Sequence, residues 1–179
     1  GHPDDLPKRL AELLQDRFPL RQPESLDDHF SPLLDRKTLL VLHGAETTSA
    51  AVDIESKFTE AALGNVQTCD YRQFAHGRHH WLAKHPLDTA VLALVSPCDE
   101  RLANQTLELL PTTVPIDRIS LRHSRWKADL AAIITGFYLV SSAGRARKID
   151  PGRPGVPAFG RKLYHANAFR LNTKAEDSP

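Results

Sequence analysis

Along this chain, short apolar runs alternate with longer stretches of helical periodicity. "KTLLVLH" (37–43), "VQTCD" (66–70), "AVLALV" (90–95) and "IDRISL" (116–121) read as strands. The first run ends at Gly44 and leads into "ETTSAAVDIESKFTEAALG", where Ala51, Ile54, Phe58 and Ala62 make one helical stripe and Gly64 supplies a stop. Ser96, Pro97 and Asp99 occupy the cap and first turn of a helix that ends at Pro111. From about Ser124 a long helix is predicted, with Trp126, Leu130, Ile133, Ile134, Phe137 and Val140 on its apolar side and Gly144 just past its end. Upstream, Leu6, Leu10, Leu13, Leu14 and Phe18 predict a short helix. Ser25 with Asp28 resembles a capping box ahead of Leu26, Phe30, Leu33 and Leu34.

Apolar strands alternating with helices call for a parallel sheet covered on both faces, because parallel neighbours need crossover connections. The predicted class is α/β, a three-layer αβα sandwich with a central parallel sheet. The predicted organisation is a helical lead-in over 1–36, an α/β domain with a C-terminal tail over 37–171, and a disordered end over 172–179. The aromatics and Leu163 of the tail beyond Arg145 predict that it lies against the domain. In such sheets ligands settle at the carboxyl ends of the strands. The segments 43–49, 70–80 and 96–99 are therefore the places to look for chemistry.

Composition narrows the picture modestly. In 179 residues, 23 Lys and Arg balance 22 Asp and Glu, leaving a formal net charge of +1 and no overall field to draw in nucleic acid or an acidic membrane. Cys69 and Cys98 sit at no metal-ligand spacing and are too few for a disulfide scaffold, which predicts a reducing, cytoplasmic setting. No apolar run is long enough to span a bilayer.

The densest chemistry lies in "YRQFAHGRHHW" (71–81). His76, His79 and His80 are spaced i, i+3, i+4, so a zinc site is one reading and an ordinary polar cluster the other; no HExxH and no second ligand cluster accompany them. In "HGAETTSAA" the hydroxyls of Thr47, Thr48 and Ser49 stand at a helix start, where they could receive a phosphate or simply cap the helix. The loop lacks the glycine pattern of a Walker or dinucleotide loop. Glu60, read alone, is a solvated glutamate off the apolar stripe. The basic tail can be read as a nucleic-acid arm, but its interleaved prolines and the balanced total charge weigh against that, and no GxSxG or Cys–His arrangement points to acyl chemistry.

From His43 to Gly77 the order of these residues resembles the sugar isomerase (SIS) family of phosphosugar-binding domains, in particular the second half of the isomerase part of glucosamine-6-phosphate synthase. "ESKFTE" (55–60) stands where that family has "ALKLKE", and "RQFAHG" (72–77) where it has "GELKHG". Glu60 and His76 stand 16 residues apart (76 − 60), the family's spacing. "ALVSPCDERL" resembles its strand-to-helix step, and "IDPGRPGVPAFGRKLYH" its closing tail, with Lys162 at the tail lysine. The resemblance implies an aldose-ketose isomerase of a sugar phosphate with no cofactor. In that reading Glu60 is the proton-transfer base, His76 the ring-opening group and Lys162 a site-lining cation. Thr47, Thr48 and Ser49, as hydroxyls at a helix start, and Arg78, as an anion-binding group, are the candidate substrate-binding residues from their own chemistry. It equally accommodates a regulatory module that binds a sugar phosphate without turnover. The chain departs from the pattern at Arg78, where the family has proline, and at Gln73 in place of a glutamate. Nothing before residue 37 resembles the family's first, phosphate-loop half, so a homodimer or a second SIS half is expected to complete the site.

Overall fold

The structure, a computed structural model, describes residues 23–166. The expected helix over Leu6–Phe18 and the chain's last residues lie outside them. Four parallel strands, β1 (Thr38–His43), β2 (Asn65–Asp70), β3 (Thr89–Val95) and β4 (Ile116–Ser120), form one sheet in the order β2-β1-β3-β4. The four predicted runs become these four strands to within a residue at most ends. Every residue of β1 and β3 is buried, as continuous apolar runs in the middle of a doubly covered sheet must be.

Alternation along the strands sorts their side chains to two faces. Leu39, Val41, Leu92 and Leu94 face a core shared with α1 (Pro23–Leu34), α2 (Thr48–Glu60) and α6 (Trp126–Arg147). Leu40, Leu42, Val91 and Ala93 face a second core, closed by a helical segment and by α5 (Glu100–Glu108). That segment comprises α3 (Tyr71–Gln73), a π-turn over 74–78 and α4 (His79–Lys84). The arrangement is the three-layer αβα sandwich with a parallel centre. Phe30 and Leu33 of α1 are buried in the first core, so the lead-in helix is part of the packed layer.

Several local expectations are corrected. α1 begins at Pro23, which places Ser25 inside the helix rather than at its cap. α2 stops at Glu60, where Ala62 takes a positive φ of 53°, so the buried residue of that turn is Ala61 and not Ala62, and the stop precedes Gly64. α5 starts at Glu100 and ends at Glu108; Ser96 and Asp99 form a hydrogen-bonded turn ahead of it. α6 runs past Gly144 to Arg147 and ends at Lys148 in the left-handed region. Gly144 serves close packing: a Cβ there would meet the Ile149 carbonyl and Pro151 at 2.7 Å. The core side of α6 is made mainly of small residues, Ala128, Ala132, Gly136 and Ala143, with Leu139 and Val140, whereas Trp126 and Phe137 are exposed. The tail stands away from the domain: Val156, Phe159, Leu163 and Tyr164 are all exposed around α7 (Ala158–Tyr164). No helix among the described residues is long and apolar enough to cross a membrane.

Candidate functional site

The chain goes from β1 outward to β2, then returns to the other side of β1 for β3, so the strand order reverses between β1 and β3. At such a switch point the loops leaving the carboxyl ends diverge and leave a crevice. Here it is a cleft of about 620 Å³, lined by the loop after β1, the end of β2 with α3, and the turn after β3.

The first wall comes from the β1 loop. His43, buried at the end of β1, donates from Nδ1 to the Gly44 carbonyl at 3.0 Å, which leaves Nε2 as its acceptor when neutral. The Gly44 N–H donates to Thr47 Oγ1 at 3.2 Å, and Thr48 Oγ1 donates to the Gly44 and Ala45 carbonyls, each at 3.2 Å. Of the three hydroxyls expected to receive a phosphate, Thr47 is buried and holds the loop, and Thr48 lines the cleft while bonded to its own turn. Ser49 is exposed and is not among the lining residues.

The second wall comes from β2. Asp70 ends the strand, and its Oδ1 accepts from the Arg72 and Gln73 N–H groups, each at 2.9 Å, so it caps the segment that follows. Tyr71 is buried and donates through its hydroxyl to the Leu94 carbonyl at 3.1 Å; burial pushes its pKa up and keeps it protonated. Gly77, at φ 133°, breaks the helical ladder and kinks the chain between α3 and α4. That turn brings Arg78 back over the end of β2, where Nη1 donates to the Thr68 carbonyl at 3.3 Å. Arg72 and Arg78 thus line the cleft together.

The third wall is Asp99, whose Oδ2 accepts from Ser96 Oγ at 2.8 Å and packs against Gly44, where a Cβ would fall 1.7 Å from it. Two guanidinium groups and two carboxylates therefore share one cavity with a histidine. Both thiols are shifted toward their protonated form. Burial pushes the Cys69 thiol up to about 11, and a hydrogen bond to Glu46, followed by burial, raises that of Cys98.

Three residues singled out from the sequence lie elsewhere. Glu60 is the exposed last residue of α2, where Oε1 accepts from Ser56 Oγ at 2.9 Å. His76 is exposed on the π-turn, which packs against the opposite face of the sheet from α2. Lys162 is exposed on α7. Within one chain the sheet stands between the layers that carry Glu60 and His76. Among the other histidines, His79 Nδ1 donates to the Phe74 carbonyl at 2.9 Å and its ring lies 4.4 Å from that of His80. No group of three metal-ligating side chains gathers among the described residues. The three segments marked from the sequence all contribute to the lining of this cleft, and so do His43, Asp70, Arg72 and Asp99, which were not singled out as site residues. Their signal was position, each standing at or just beyond a strand's carboxyl end.

No family model matches this chain, and no curated protein matches its sequence. Among solved structures, the chain is similar to a protein of Bacteroides fragilis described as a "putative phosphosugar isomerase involved in capsule formation". The two share 10% sequence identity with a TM-score of 0.65, over 85% of this chain and 93% of the other. At that identity the likeness is one of fold: both chains build the same layered parallel sheet.

Proposed function

We propose that this chain is a phosphosugar-binding domain of the sugar isomerase type, taking its ligand in the cleft at the strand-order switch. The observation that carries this reading is the pairing of Arg72 and Arg78 with Asp70 and Asp99 in one cavity of about 620 Å³. Guanidinium groups match phosphate oxygens in charge and geometry, and carboxylates accept from sugar hydroxyls. The fold shared with the B. fragilis protein, and the phosphosugar in that protein's description, support the reading. Calorimetric titration with hexose and pentose phosphates, beside the same sugars without phosphate, tests it. Saturable binding of a phosphorylated sugar is expected, and Arg72→Ala or Arg78→Ala is expected to weaken it by roughly tenfold or more, the worth of a hydrogen bond to a charged group. Equal binding of both sugar forms, or none, sinks the proposal.

The finer reading is an aldose-ketose isomerase in which Glu60 moves the proton between C1 and C2, His76 opens the ring and Lys162 lines the site. None of these three residues lines the cleft of their own chain, and Glu60 and His76 stand on opposite layers, so this reading calls for a second chain that brings its His76 to Glu60. Exchange of the C2 proton with solvent is its signature. Glu60→Gln is expected to abolish exchange while leaving ligand binding intact. A mixture of Glu60→Gln and His76→Ala chains is expected to regain part of it, because one of the two shared sites is then whole. Binding without exchange in the unaltered protein selects the regulatory module instead.

A further inference from the structure

The cleft at the strand-order switch has a neighbour. A second depression of about 240 Å³ lies at the β2 edge of the sheet, beside Trp81 of α4. Thr68, Cys69 and Arg78 line both cavities, so the two adjoin at the end of β2. Leu40 and Cys69 belong to the core on this face. Gln67, the register partner of Leu40 and two residues before Cys69, stands on the same side of the sheet.

The lining of the depression differs in kind from that of the cleft. The cleft holds two guanidinium groups and two carboxylates, whereas Arg78, at the border, is the one charged residue lining the depression among the described residues. The Cys69 thiol there stays protonated, because burial raises its pKa to about 11. Trp81 is 40% exposed. The His85 ring, one helical turn on, lies 4.2 Å from the Trp81 ring and holds the indole in place. Among the described residues, none accepts from the indole N–H, and none meets the side-chain amide of the half-buried Gln67.

An apolar plate flanked by two unused polar groups suits a ligand group that is apolar on its faces and polar at its rim. A sugar ring has that character, with C–H groups on its faces and hydroxyls around its edge. Size agrees, since a cavity of about 150 Å³ already admits a benzene ring. Arg78 is free to serve a ligand at the border. Its side chain is exposed, and its hydrogen bond to the Thr68 carbonyl is long, at 3.3 Å.

We propose that the ligand of this domain is a phosphorylated disaccharide. Its first ring occupies the cleft, its phosphate meets Arg72 and Arg78, and its second, neutral ring fills the depression, packed on Trp81 with hydroxyls bonded to Gln67 and the indole N–H. The proposal rests on the phosphosugar reading of the cleft and narrows it, because a monosaccharide phosphate would leave the depression empty.

Calorimetric titration of the whole chain tests it, with glucose 6-phosphate and galactose 6-phosphate set against trehalose 6-phosphate, maltose 6′-phosphate, cellobiose 6′-phosphate and lactose 6-phosphate. At least one disaccharide phosphate should bind about tenfold or more tightly than the monosaccharide phosphate it contains. Trp81→Ala and Gln67→Ala should each remove most of that advantage, with unchanged circular dichroism and unchanged affinity for the monosaccharide phosphate. The chain has two tryptophans, so Trp126→Phe leaves Trp81 as its sole indole reporter. Its fluorescence should shift on adding the disaccharide phosphate and not on adding glucose 6-phosphate. Binding of monosaccharide phosphates with no gain from any second ring, or a gain that survives in Trp81→Ala, would overturn the second subsite and leave the phosphosugar reading standing. Failure of every phosphorylated sugar to bind would overturn both.

Discussion

Gly44 and Asp99 meet where the β1 and β3 loops come together, and their contact fixes one wall of the cleft. Gly44 has an ordinary φ of −101°, so it is needed there for space and not for backbone freedom. Gly44→Ala would push the Asp99 carboxylate off the Ser96 hydroxyl, and urea unfolding should show a loss of about 1–2 kcal/mol. In an Asp99→Ala background the same substitution should cost little, since the clashing group is gone; an unchanged cost would place the strain elsewhere. Tyr71 gives a second residue-scale test. Tyr71→Phe keeps the ring in the core but leaves the buried Leu94 carbonyl without its donor, so stability should fall by about 1–3 kcal/mol with little change at the cleft surface.

Between elements, α1 is held to the foot of α6 by Arg145, whose Nε and Nη2 reach the two Asp27 oxygens at 2.6 Å. The Arg145 hydrogen bonds hold the Asp27 carboxyl below its ordinary value of 3.8. A carboxyl depressed by folding adds stability that is fully present above that value and is lost as pH falls through the lower folded one. Asp27→Asn should therefore lower stability at neutral pH and flatten the acid limb of the stability curve. The pair is partly exposed, so the difference should be modest and should shrink with salt. At this scale the sequence was legible where burial imposes a pattern. β1 and β3 could be read because both faces are covered, so their middles are continuous apolar runs with polar residues only at the ends, Thr38, His43 and Thr89. α6 misled because its large residues, Trp126 and Phe137, mark the outward side, while alanine and glycine, which carry weak hydropathy signals, let it approach the core.

Over the whole molecule, the candidate site depends on which strands end side by side, and the order β2-β1-β3-β4 is a long-range property that local pattern does not encode. The loops could be listed from the sequence, but the convergence of His43, Arg72, Arg78 and Asp99 on one cavity could not. Motif order drew attention instead to Glu60, His76 and Lys162, which one chain keeps on separate surfaces. On the proposed isomerase reading their chemistry would need a second chain, and dilution is then expected to lower proton-exchange activity more steeply than it lowers ligand binding per chain. Measuring both across a concentration series checks this; parallel loss would separate the chemistry from assembly.

The kink at Gly77 also bears on how this surface can change over time. Its φ of 133° lies where side-chain-bearing residues are strained, although the space around it is open. Any replacement of Gly77 would therefore press the join between the two short helices toward another backbone, and Arg78, the next residue along, would be displaced from the end of β2 even if its own codon never changed.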